Sequence, residues 1–211
     1  KASSTADQFI TFSPSTPYLA DYVAINGHNF FSTGATFSLQ YSSDNFSADI
    51  NDAFTPFTPT SNNSFVKTFD AIGADFWRIA IAGAPSSAAQ MSIAIWGEKT
   101  ELDYVNAAFD PNRRIVRANR NISQTGFYVG NHQKYTERRM SLRFVDSELD
   151  IYEKVSEWFD TTNLNNFFVH WDPDGHPDEL YLMRSEPEAN DVLTKGGIYR
   201  TIRINLSGRA E

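Results

Sequence analysis

The sequence predicts a mainly β protein with one helix, divided into an N-terminal β-sandwich of jelly-roll type and a C-terminal α+β unit. Three observations carry this. Aromatic residues make up 14% of the 211 residues, with 17 Phe and 9 Tyr, and such side chains suit strands better than helices. Apolar and polar residues alternate with period 2 in many segments, while a strong helical period occurs in one, near 147–161. The texture also changes near Gly97. Through residue 99 the chain is rich in Ser, Thr, Asn, Ala and Phe and holds four bases, Lys1, Lys67, Arg78 and Lys99; the other fourteen of its 18 Lys and Arg follow. The expected domains are therefore 1–98 and 99–211.

In the first domain YVAIN (22–26) is an apolar strand that stops at Gly27. ATFSLQYS (35–42) sets Ala35, Phe37, Leu39 and Tyr41 against Thr36, Ser38 and Gln40, the pattern of a half-buried strand. SFVKTFDA (64–71) follows. FWRIAIAG (76–83) sets Trp77, Ile79 and Ile81 against Phe76, Arg78 and Ala80, and MSIAIWG (91–97) closes the set. The turn-forming clusters SPSTP (13–17), TPFTPT (55–60) and GAPSS (83–87) separate them. Short strands at this spacing suggest an antiparallel sandwich or jelly roll.

The second domain opens on a long stretch read as irregular, about 99–136, expected to form a β-arm or to lie along a partner. RRMSLRFVD (138–146) alternates Met140, Leu142 and Phe144 against Ser141, Arg143 and Val145. SELDIYEKVSEWFDTT (147–162) changes period. Leu149, Tyr152, Val155 or Ser156, and Phe159 form one face, with Ser147 expected as N-cap and Asp150 three residues on. NNFFVHWD (165–172), ELYLMRSE (179–186) and IYRTIRINLSG (198–208) then read as strands of an antiparallel sheet under the helix.

Bulk properties exclude several functions. The net charge of -8 argues against a general nucleic-acid binder, which needs a basic face for phosphates. Without cysteine there is no disulfide, thiolate zinc site or cysteine nucleophile. No apolar run approaches the roughly 18 residues of a membrane span. No leader peptide is legible, and the start at Lys1 is expected to follow a native beginning outside this chain. The sequons at Asn45, Asn62, Asn121 and Asn205 read as chance matches in an Asn- and Ser-rich chain.

No catalytic residue, metal or cofactor is expected. DPDGHPDE (172–179) offers Asp172, Asp174, Asp178 and Glu179 as oxygen ligands, yet Gly175 falls too early for a calcium loop and two prolines stiffen it. Asp-Gly between apolar strands reads instead as a hairpin turn. His28 in INGHN reads as a turn residue bonding loop backbone, and the other histidines lack ligand spacing. There is no G-x-S-x-G elbow and no phosphate-cradling Gly loop. The carboxylate pairs Glu148/Asp150 and Glu153/Glu157 are expected on a solvated helix face. NRRIVRANRN (112–121) carries Arg113, Arg114, Arg117 and Arg120 without the interleaved aromatics that single-stranded nucleic acid needs. In an acidic chain such a strip suggests a charge-complementary contact between subunits.

Two sets of passages resemble known modules. ADYVAINGHNF (20–30), ATFSLQYSSD (35–44), FWRIAIAG (76–83) and SIAIWGEKTEL (92–102) resemble a jelly-roll module of tailed-bacteriophage tail proteins, similar to discoidin- and galectin-like carbohydrate-binding domains. RRMSLRFVDSELDIYEKVSEWF (138–159), FFVHWDPDGHPDELYLMR (167–184) and IYRTIRINLSGRA (198–210) resemble the tail-tube-like or distal-tail ring domain of long-tailed phages. Known distal tail proteins commonly place the ring domain first, and here the order is reversed. The resemblance implies a C-terminal α+β tail-tube-like sandwich domain and a structural role in the virion, at the tail tip or baseplate. The chain would form a homo-oligomeric ring, sixfold by analogy, joining the tail tube to the tip, with the tube protein and other tail-tip proteins as partners. Arg113, Arg114, Arg117, Arg120 and Trp171 are the expected oligomer interface. The alternative is a carbohydrate-binding adhesin, with Phe30, Phe31 and Phe57, and also Phe46 and Phe54, in loop-like stretches where a host-surface glycan stacks. A cell-wall glycan hydrolase ranks third.

Overall fold

The computed structural model describes residues 7–83, 87–102, 105, 108–147, 149–162, 165–185 and 190–210. The chain is mainly β with one main helix. It divides into two compact units, Lys1–Lys99 with Pro173–Leu180, and Thr100–Asp172 with Tyr181–Glu211.

The first unit contains β1 (Gln8–Phe12), β2 (Tyr18–Asn26), a single-turn helix α1 (Phe30–Thr33), β3 (Thr36–Ser42), β4 (Asn51–Asp52), β5 (Phe65–Ala74), β6 (Phe76–Ala82) and β7 (Ile93–Gly97). They form two sheets, ordered β1-β6-β3-β4 and β5-β2-β7. The antiparallel pair β3·β4 is nested in sequence inside β2·β5, and that pair inside β1·β6. Such nesting is a doubled chain rolled over itself, the winding of a jelly roll. The inward residues of each sheet supply one core: Val23 and Ile25 from β2, Phe37 and Leu39 from β3, Trp77 and Ile79 from β6. Period-2 alternation built this, since every second residue of a strand faces the same way.

The second unit contains β8 (Arg114–Ile122), β9 (Tyr128–Ser147), α2 (Leu149–Thr162), β10 (Phe167–His170), β11 (Leu180–Ser185), β12 (Asn190–Thr194) and β13 (Tyr199–Arg209). Its six-stranded sheet runs β10-β11-β13-β9-β8, with β12 also on β13. The register of β13 on β9 sets Ile202, Ile204 and Leu206 directly opposite Phe144, Leu142 and Met140. These six, with Met183 of β11, form the apolar face against which α2 lays Val155, Ile151, Tyr152 and Trp158.

The helix differs from expectation at its start. Leu149 is exposed, and Ile151 takes the inner place assigned to it. Ser147 is the last residue of β9, and among the described residues its buried Oγ has no hydrogen-bond partner, so it is not seen to cap α2. Glu148 lies outside the described residues, as does part of the GAPSS turn. The stretch around DPDGHPDE joins β10 to β11, which are neighbours in the sheet.

One glycine is fixed by a close approach. A Cβ on Gly208 of β13 would overlap the backbone oxygen of Leu182 and sit 2.8 Å from Met183 Sδ. Because the obstacle is a strand backbone, a rotamer change cannot relieve it. Gly208→Ala is expected to lower unfolding stability by about 2 kcal/mol. The urea midpoint would fall with an unchanged slope; an unmoved midpoint would show that β11 and β13 do not approach this closely.

Candidate assembly interface

Much of the stretch read as irregular is a regular hairpin, the β-arm that was one of its two expected forms. β8 pairs with β9 from Arg114↔Arg138 to Ile122↔Tyr128. The turn is tied by Ser123: its N–H donates to Phe127 O (2.8 Å), its carbonyl accepts from Gly126 N–H (2.9 Å), and its Oγ accepts from Phe127 N–H (3.0 Å). Gly126 adopts a φ of 85°, the left-handed region that costs a glycine nothing. This is the physical content of the TGF tripeptide.

The hairpin outruns the sheet. β13 accompanies β9 only from Glu137 onward, and the bond from Ala210 N–H to Thr136 O ends that pairing. Tyr128–Tyr135 and the strand opposite therefore form a two-stranded ribbon, about 27 Å long at strand rise. Residues 119–135 are exposed throughout, apart from the half-buried Ser123. The tip is apolar: Ile122 is 58% exposed, Phe127 73%, Tyr128 63% and Val129 69%. A ribbon with two open edges is marginal alone in water and offers strand-pairing groups to another chain.

The predicted arginines lie along this arm. Arg113 and Arg114 are exposed at its base, and Arg120 Nη1 donates to Tyr128 Oη at 3.3 Å near its tip. Arg117 differs, because its Nε donates to Glu137 Oε2 at 2.5 Å while Arg139 Nε donates to Oε1 at 2.6 Å. Those hydrogen bonds, Arg117 first, hold the Glu137 carboxyl down at about 2 against an ordinary 4.5. Glu137 is nearly buried, so the fork fixes the root of the arm. A depressed folded pKa stabilises fully above the unfolded value and loses that stabilisation as pH falls through the folded one. Glu137→Gln is expected to lose about 1.5 kcal/mol at neutral pH. Urea titrations should show the gap to the wild type closing as pH drops from 4.5 toward 2; a gap independent of pH would refute the ion-pair account.

Trp171 is half-buried and stacks edge-on with Phe109 at 5.7 Å within the second unit, away from the arm's arginines in sequence and element. Of the aromatics assigned to a glycan, Phe30 is fully buried between His28 and Phe37, which corrects that assignment. Phe57 packs on Phe37 and Phe65 against the same core, as does Phe54. Phe46 lies on the Arg78 guanidinium at 4.2 Å, and Phe31 alone of the five is a freely exposed ring, at 54%. His28 bonds loop backbone, its Nε2 2.7 Å from Asn63 O, and burial lowers its pKa. Glu153 and Glu157 are on the exposed side of α2. Among the described residues no group of three or more His, Asp or Glu is placed to hold a metal.

Sequence reasoning missed two features. One is the apolar tip, whose only signal was the Gly-containing turn TGF beside the apolar residues Ile122, Phe127, Tyr128 and Val129. The other is the sheet face opposite α2. There Arg139, Ser141 and Arg143 of β9 sit directly across from Ser207, Asn205 and Arg203 of β13. Arg184 of β11 flanks Ser207 on the other side. A shallow recess of about 160 Å³, lined by Arg113, Arg139, Met140, Ser141, Asn205 and Leu206, lies in this face. The signal was on the polar side of strands read for their apolar side.

Comparisons with known proteins bring no relative to this description: no family model, no curated protein and no solved structure matches the chain.

Proposed function

We propose that the chain is a structural, self-assembling protein of a long-tailed bacteriophage virion, part of a homo-oligomeric ring that joins the tail tube to the tail tip or baseplate. The observation that carries the assembly reading is the β8–β9 ribbon, with its open edges and apolar tip. Such a ribbon gains stability when a neighbouring chain covers it by strand addition and apolar contact. A closed ring of identical chains then needs one heterologous interface repeated. The placement in a phage tail rests on the sequence resemblance. The role calls for no bond-making residues, no cofactor and no nucleic-acid site; its partners are further copies, the tube protein and other tail-tip proteins.

Light scattering of the purified protein at micromolar concentration is expected to give a closed oligomer, six copies by analogy, and micrographs should show rings. A monomer under those conditions would defeat the assembly reading. Gold-labelled antibody on the particle that carries the chain is expected at the tail tip; label elsewhere would defeat the placement.

A further inference from the structure

The second unit has charged faces of opposite sign on its two sides. On α2 the side away from the sheet exposes Asp150, Glu153, Glu157 and Asp160. Their spacing of three, four and three residues aligns them along one stripe of the helix, about 15 Å long at helical rise. Lys154 is the single base among them. The other side of the unit is the open face of the sheet. Its outward positions on β9 and β13 are Glu137, Arg139, Ser141, Arg143, Arg203, Asn205, Ser207 and Arg209; the one acid among them, Glu137, is already held by Arg117 and Arg139.

Arg143 and Arg203 are the informative pair. They are directly opposite across the antiparallel ladder, both exposed. Neither makes a side-chain hydrogen bond or ion pair among the described residues. Like charges directly opposite are destabilising on a sheet, so the arrangement calls for a counter-charge from outside. From Arg139 to Arg143 the arginine row spans about 14 Å at strand rise, close to the length of the acidic stripe.

We infer that the open sheet face of one copy receives the acidic stripe of α2 from the next copy, with Glu153 and Glu157 against Arg143 and Arg203. The two faces cannot meet within one chain, because the sheet and helix they belong to are packed back to back. Each copy therefore presents a basic side to one neighbour and an acidic side to another. That is a head-to-tail contact, which closes into a ring when the rotation permits. The recess beside Ser141 and Asn205 provides polar groups between the arginine rows for a seated carboxylate. This inference rests on the self-assembly proposed above and adds a charged contact to the arm's part in it.

Three full-length proteins test it by sedimentation: Arg143→Glu with Arg203→Glu, Glu153→Arg with Glu157→Arg, and the chain carrying all four changes. Each double variant is expected to assemble at least about tenfold more weakly than the wild type, with a melting temperature close to it. An equal mixture of the two doubles, and the fourfold variant alone, should recover assembly, because opposite charges again face each other. Raising the salt from 0.1 M to 1 M should also weaken the wild-type oligomer, as the screening length falls from about 10 Å to about 3 Å. If the wild type assembles and both doubles assemble equally well, this inference falls and the ring proposal stands. A monomeric wild type defeats both. If only the arginine double weakens assembly, mixing does not rescue it, and it also loses affinity for a fluorescein-labelled single-stranded oligonucleotide, the face serves a polyanion and the inference falls.

Discussion

Excising Ala118–Lys134 and joining Arg117 to Tyr135 through an Asn-Gly turn is expected to convert the assembled protein to monomer while leaving the fold intact. Arg117 and Tyr135 are directly paired, so a two-residue turn closes the shortened hairpin in register. The excised residues include Ile122, Phe127, Tyr128 and Val129, none of which belongs to either core. Their removal takes no packed side chain from the folded chain. What it takes is apolar area. Covering four such side chains is worth about 6 kcal/mol before association costs are subtracted, enough to decide whether a weak contact holds. The excision also removes two open strand edges and with them any main-chain pairing across copies. Light scattering would show the mass falling to that of one chain, and circular dichroism would show an unchanged melt. Should the shortened protein melt early, Phe127→Ser with Val129→Ser provides the same test without touching the backbone. An oligomer that survives both changes would remove the arm from the assembly.

The arm's history in the sequence shows where reading by pattern works. RRMSLRFVD was legible because Met140, Leu142 and Phe144 face a core, and burial writes period 2 into the chain. The same strand continues back to Tyr128, yet those residues are exposed on both sides, so nothing selected an alternation there. β8 is exposed for the same reason and carries RIVRANRNI with no clean period. The short β1 was missed as well: QFITF lies at a sheet edge, with four of its five residues exposed. β12 was missed at the opposite end of the chain, where it covers only part of β13.

The candidate surfaces were half legible. The arginine strip at 113–120 pointed to the arm, because charge on an open edge strand is a feature of sequence alone. Its partner residue Glu137 was invisible, since it lies 20 residues from Arg117 and only strand register brings them together. The basic sheet face was visible in principle as Arg139/Arg143 and Arg203/Arg209 at alternate positions, but which strands are neighbours had to come from topology. Conversely, INGHNFF looked like a loop offering aromatics, and the single turn α1 folds Phe30 into the core while leaving Phe31 outside. A four-residue helix is too short to announce itself by periodicity.

Trp77→Ala is expected to cost about 5 kcal/mol, the top of the range for a large core aromatic. Trp77 is fully buried on β6, between its ladder partners Phe12 of β1 and Tyr41 of β3. Its ring reaches across the sandwich: Nε1–H donates to Tyr18 O of β2 at 3.0 Å, and the indole lies 6.4 Å from the ring of Phe69 on β5. One side chain thus ties the two sheets by both packing and a hydrogen bond. Alanine would leave a cavity bounded by strand backbones that cannot collapse far, which places the loss near the top of the usual range. Trp77→Phe keeps most of the volume and drops the donor, so its cost should be about half as large. The nested pairing makes the position more sensitive still, because β6 is flanked by β1 and β3 and holds the outermost pair of the roll in place. Denaturation followed by circular dichroism reads both variants. A loss under about 1 kcal/mol for alanine would mean that Trp77 does not bridge the sheets, since truncating a large buried aromatic ordinarily costs about 3 kcal/mol or more.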